Sequence, residues 1–248
     1  MKYFFFYFLF ALFLNSCGFT SSFVSSTTSS PDVNSTKLNL NKKRLSEIPD
    51  YVYEMKELKE LHLFGNSIDS ISYRIGELKN LEKLYIGRNN IKEFPKEIGQ
   101  LKNLEILSAQ YNEIAFLPAE IGELENLDQL ILNQNNLHEL PLEIGNLKKL
   151  ENLQLKMNWL DSLPSTIGQC QNLRFLYLNR NNLHLLPESL GEITHLQELY
   201  LAGAGFLVTI PESFCNLRLL EMLEVDFQTV IPTCLLVRQT TRLTIIYK

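Results

Sequence analysis

The chain has 248 residues, 45% of them hydrophobic, enough for one sizeable core or one extended array of small units. Its formal charge of −5 provides no basic field to hold a polyanion, which sets nucleic acid aside as a partner. Four cysteines are too few for a disulfide-built scaffold at this length. The first element is an unbroken apolar run from Tyr3 to Leu14 behind Met1-Lys2. It is too short to span a hydrocarbon core, which needs about 20 residues, and has the length of the hydrophobic region of an export signal.

The run ends at Leu14-Asn15-Ser16-Cys17. An aliphatic residue three places before a Cys and a small one directly before it resemble the lipobox of bacterial lipoproteins, although Asn15 fills a slot where small or aliphatic residues are commoner. The resemblance implies that residues 1–16 are a signal peptide, that cleavage precedes Cys17, and that its thiol is acylated. The chain would then be exported and held on a membrane through this lipid alone, at the bacterial outer membrane or cell surface. The other reading is ordinary signal cleavage near Ser16 to Gly18, with Cys17 a bystander. Residues 17–34 are rich in Ser and Thr and contain little that can be buried, which suits a flexible tether.

The domain from residue 35 to 248 repeats with a period of 23 to about residue 232, followed without an insertion through Leu58, Leu81, Leu104, Leu127, Leu150, Leu173 and Leu196 and with one extra residue before Ile210-Pro211. A full unit reads L-x-x-L-x-L-x-x-N-x-L-x-x-L-P-x-E-I-G-x-L, as in Leu127, Leu130, Leu132, Asn135, Leu137, Leu140-Pro141, Glu143-Ile144-Gly145 and Leu147. This pattern resembles the 23-residue bacterial type of the leucine-rich-repeat family. The resemblance implies an α/β solenoid, with a curved parallel β-sheet on the concave face and short helical turns and loops on the convex face.

Each part of the unit has a physical reading. Alternation in L-x-L predicts a short strand with leucines inward and variable residues outward. The Asn that follows (Asn66, Asn89, Asn112, Asn135, Asn158, Asn181) marks an inward turn, and in the family its amide bonds to backbone groups of adjoining turns. The proline of Leu-Pro is expected at the first helical position of a brief turn, and Gly76, Gly99, Gly122, Gly145, Gly168 and Gly191 to end that turn in a left-handed conformation. The ends depart from the pattern as caps should: Lys43 and Ala204 replace Asn, Ile71-Ser72 replaces Leu-Pro, and Thr241 to Tyr247 reads as a closing strand. Cys215 and Cys234 fall in consecutive units, either bridged in an oxidising compartment or as two free thiols; Cys170 takes a core leucine slot.

Outward strand positions of successive units form columns. The residues expected to bind a partner there are Phe64, Tyr85, Arg88, Ile106, Tyr111, Ile131, Met157, Phe175, Tyr177, Arg180 and Tyr200, because Tyr, Phe, Met and Arg are enriched in protein interfaces. The opposing reading is that such residues simply suit strands. No catalytic constellation, cofactor motif or metal-ligand spacing stands out; His138 and His184 share a register but lie about 10 Å apart, too far for one zinc. The expectation is a monomeric, non-enzymatic lipoprotein that binds a protein partner, in host or envelope interactions. A structural spacer and a carbohydrate-binding module are the alternatives.

Overall fold

The computed structural model describes residues 32–207, 209–237 and 243–248. Cys17, the export signal and most of the tether fall outside these residues. Ten strands run in chain order through one sheet, each parallel to the next: β1 (Lys37–Asn39), β2 (Glu60–His62), β3 (Lys83–Tyr85), β4 (Ile106–Ser108), β5 (Gln129–Ile131), β6 (Asn152–Gln154), β7 (Phe175–Tyr177), β8 (Glu198–Tyr200), β9 (Met222–Val225) and β10 (Thr244–Tyr247). Register follows the repeat, so Leu84, Leu107, Leu130, Leu153 and Leu176 pair in sequence and are all fully shielded from solvent. The extra residue before Ile210-Pro211 is absorbed between β8 and β9, where Glu198 pairs with Met222.

The opposite wall of the core is built by 3₁₀ turns at Tyr73–Glu77, Lys96–Gln100, Ala119–Glu123, Leu142–Asn146, Ser165–Gln169, Glu188–Glu192 and Glu212–Asn216. Each drives one apolar residue inward, from Ile75 and Ile98 through Ile144 to Phe214. Burying such a side chain stabilises by about 1.5–3 kcal/mol, and here the burial is completed only by the repeats on either side. Short helices replace this turn at the two ends: α1 (Asp50–Tyr53) and α2 (Thr233–Leu236). No helix among the described residues is long and apolar enough to cross a membrane.

Two expectations about the turns are corrected. The prolines stand one residue before the helical turn: Pro95 is extended at φ −67, ψ 151, and its carbonyl accepts the first helical bond from the Ile98 N–H. In the unit that lacks proline, the Ser72 hydroxyl caps the turn by accepting from the Arg74 N–H. The turn glycines are not left-handed. A Cβ on Gly122 or Gly145 would sit 2.4 Å from the carbonyl oxygen of Glu143 or Thr166 in the following repeat, so glycine is required there by how closely the repeats approach.

Most left-handed positions lie just before the asparagine slot, at Lys42, Arg88, Tyr111, Gln134, Met157 and Arg180 with φ from 55 to 60, and at Gly65 and Gly203; Arg44 and Gly205 lie just after it, in the two repeats whose slot holds Lys43 and Ala204. The asparagine ladder holds them. Asn135 donates to the Leu132 carbonyl of its own repeat and the Ala109 carbonyl of the preceding one, both at 3.0 Å, and accepts from the Ile114 N–H at 3.1 Å. Asn66, Asn89, Asn112, Asn158 and Asn181 repeat the arrangement, as the family resemblance implies. At the far end Cys215 and Cys234 form a disulfide, Cα atoms 5.7 Å apart, tying the last 3₁₀ turn to α2. Cys170 is buried, and burial pushes its thiol up to about 11, a core residue rather than a nucleophile.

Candidate functional site

Period-two alternation sends the residues flanking each inward leucine to the outer sheet face, and parallel register aligns them into two columns about 4.8 Å apart from strand to strand. One column carries Lys83, Ile106, Gln129, Asn152 and Phe175, the other Tyr85, Ser108, Ile131, Gln154, Tyr177 and Tyr200. Arg88, Tyr111, Met157 and Arg180 line the rim where the chain leaves the strands, their side chains directed by the left-handed backbone.

Phe64 does not join that rim. The ladder Lys42 N–H to Phe64, Gly65 N–H to Gly87 and Arg88 N–H to Gln110 places Phe64 in the column of Gly87 and Gln110, and Gly65 takes the left-handed slot. The repeat period says the same, since Phe64 stands one period of 23 before Gly87 and one residue out of step with Arg88.

The face is organised by stacked pairs on neighbouring strands. Tyr177 and Tyr200 lie 4.7 Å apart at 9°, and both hydroxyls donate to Glu198 Oε2, at 3.3 and 3.0 Å. Burial first, then the Glu198 carboxylate, pushes the Tyr200 phenol up to about 12, so both rings stay neutral and fixed. Near the other end His62 stacks on Tyr85 at 4.6 Å. There Glu60 accepts from Lys37 at 2.6 Å and meets His62 at 3.4 Å and Lys83 at 3.6 Å, and the Lys37 bond foremost holds its carboxyl down near 2. Arg88 lies over Tyr111 at 5.8 Å and Arg174 over Phe175 at 5.2 Å.

Sequence reasoning missed a groove of about 370 Å³ on the rim, lined by Met157, Trp159, Arg180, Asn182 and Gly203, in which the indole is 59% exposed. Trp159 occupies the slot filled by Asn90, Asn136 and Asn182 in other repeats, so a lone Trp in a polar column was the available signal. Exposed Phe116 and Phe206 extend the aromatic character of this flank and pair with His138 and His184. The two histidines thus pack on rings rather than on each other. Among the described residues one cluster gathers potential metal ligands, Glu212, Cys215 and Cys234, and its sulfurs are joined to each other.

Fold and face together define a repeat solenoid that displays one continuous ten-stranded surface. A family model described as "Leucine-rich repeat region" matches residues 36–135, and one described as "Leucine Rich Repeat" matches residues 172–193 and 195–217. The chain belongs to the leucine-rich-repeat family.

Among solved structures it is similar to a leucine-rich-repeat protein of Leptospira interrogans, 33% identical with TM-score 0.65 over 86% of this chain and 60% of that one. It is also similar to the ectodomain of the plant membrane receptor kinase GASSHO1/SCHENGEN3 from Arabidopsis thaliana, solved in complex with CASPARIAN STRIP INTEGRITY FACTOR 2. That match is 33% identical with TM-score 0.73, over 86% of this chain and 26% of that one. An internalin of Listeria monocytogenes shares the fold at 19% identity and TM-score 0.72, over 85% of this chain and 60% of that one. The chain therefore spans less than two thirds of each of these solved chains. A search of curated proteins finds no match.

Proposed function

We propose that this chain is a non-enzymatic recognition module that binds a protein partner on its outer sheet face, tethered to a bacterial membrane through lipid on Cys17. The observation that carries the reading is the pair of outward columns, where Tyr177 and Tyr200 are stacked and pinned by Glu198 and His62 is stacked on Tyr85. Rings already fixed before binding lose little side-chain entropy when a partner covers them, which is what makes Tyr effective in interfaces. The ectodomain of GASSHO1/SCHENGEN3, similar in fold, was solved with a bound factor and supports the reading by analogy. The charged groups of this face are paired with one another, Glu60 with Lys37, Lys83 and His62 and Glu198 with two phenols, which favours binding over catalysis.

Replacement of Tyr85, Tyr111, Tyr177 and Tyr200 by Ser tests this. Affinity capture from envelope and host extracts with the wild-type chain should recover a partner that the folded variant loses. Recovery of the same proteins by both would end the reading in favour of a spacer. Metabolic labelling with a palmitate analogue should mark the chain and fail to mark Cys17→Ser; label retained by that variant would remove the lipid anchor.

A further inference from the structure

The charges on the sheet face are segregated. At the end built by β1–β3 the outward and rim positions carry Lys37, Lys42, Lys83 and Arg88, against one carboxylate, Glu60, which is already shared with Lys37, Lys83 and His62. Lys42 and Arg88 enter no ion pair among the described residues. At β8 and β9 the outward strand positions reverse the sign, with Glu198 and Glu224 there and Asp226 just beyond β9, where Lys248 lines the same pocket from the neighbouring strand. Glu198 accepts from two phenols, Glu224 from the Asn179 amide at 2.6 Å and Asp226 from the Gly203 N–H at 3.0 Å, all neutral donors, and none of the three has a cationic partner among the described residues. Between these ends the outward strand positions of β4–β6 are uncharged, with Ile106 and Ile131 half-exposed; the flanks there carry both signs, with Glu105, Asp128 and Glu151 just before the strands and Lys156 and Arg180 just after β6 and β7.

Six strand spacings, about 29 Å, separate β2 from β8. That is about three and a half screening lengths at physiological salt, so neither end relieves the other. Like charges on adjacent strands repel, and an occupant carrying the opposite sign at each end removes both repulsions at once.

Building on the sheet face as the recognition surface, we propose that its occupant is an extended polypeptide segment of segregated charge: acidic across β1–β3, apolar across β4 and β5, and basic across β8 and β9. At about 3.3 Å per residue, a segment reaching from β1 to β9 has about 12 residues.

A phage-displayed library of random 12-residue peptides, selected on the full-length chain, tests the pattern. Enriched peptides should confine Asp and Glu to one end and Lys and Arg to the other. The double substitution Glu198→Lys/Glu224→Lys should weaken the best peptide at least tenfold while its unfolding curve stays that of a folded protein, and reselection on it should yield peptides acidic at both ends. Enriched peptides with mixed charges that nevertheless lose binding to Tyr177→Ser/Tyr200→Ser would overturn the charge pattern and leave the sheet face as the binding surface. Absence of any enriched peptide, or binding indifferent to both pairs of substitutions, would overturn both.

Discussion

Within each repeat two residues carry opposite backbone demands. The residue before the ladder asparagine is left-handed yet bears a side chain, a conformation that costs about 1–2 kcal/mol in an L-residue, offset in part for glycine by its greater unfolded-state entropy. Gln134→Gly should therefore be neutral or stabilise by about 0.5 kcal/mol in urea unfolding. Gly145→Ala should do the reverse, since its Cβ would meet the Thr166 carbonyl at 2.4 Å; overpacking of this kind costs about 1–3 kcal/mol.

The phenol of Tyr200 supplies a pH test. Its folded-state value near 12 lies above the ordinary value of about 10, so the folded protein holds that proton more tightly. The associated stability is complete below pH of about 10 and is lost as pH climbs toward about 12. Ultraviolet titration should show late-ionising phenols, fewer of them in Tyr200→Phe, and that variant should lose less stability over this range. A profile matching the wild type would remove Tyr200 from the account.

At the scale of elements, strands and asparagines were legible because period-two alternation and a recurrent amide report local demands that every repeat restates. The reason for the turn glycines was not legible, because a clash between one repeat's Cβ and the next repeat's carbonyl belongs to the distance between chain segments. The slot of Phe64 was legible as well: the period of 23 sets it beside Gly87, which leaves Gly65 in the left-handed slot. The asparagine ladder should be the dominant polar device. Asn135→Ala strands the Ala109 and Leu132 carbonyls and the Ile114 N–H, and should destabilise by about 2–3 kcal/mol, well above the effect at half-buried Asn66.

The closing elements rely on the Cys215–Cys234 bond, since the last repeat is stacked against neighbours on fewer sides than the middle ones. Closing a loop of this size contributes about 3 kcal/mol. Reduction should accelerate amide exchange in α2 and β10 while β4–β7 remain protected. Uniform acceleration along the chain would show that the bond supports the whole stack instead.

For the molecule as a whole, the repeat period predicted a solenoid and its register with no coordinates, because identical units can bury their leucines only by stacking. The organisation of the face was harder to foresee. Columns could be written down, yet the pinning of two tyrosines by Glu198 and the exposed Trp159 groove depend on side chains from two or three repeats meeting in space.

The central claim is that the sheet face, and not the side formed by the 3₁₀ turns, meets the partner. It is tested most directly by measuring the affinity of a captured partner for two matched variants. One replaces Tyr85, Tyr111, Tyr177 and Tyr200 with Ser; the other replaces Lys96, Glu120, Glu143 and Glu188 on the turns with Ser. The account predicts at least a hundredfold loss, about 2.7 kcal/mol, in the first and less than a threefold change in the second. Equal losses in both, or a loss confined to the turn variant, would contradict it.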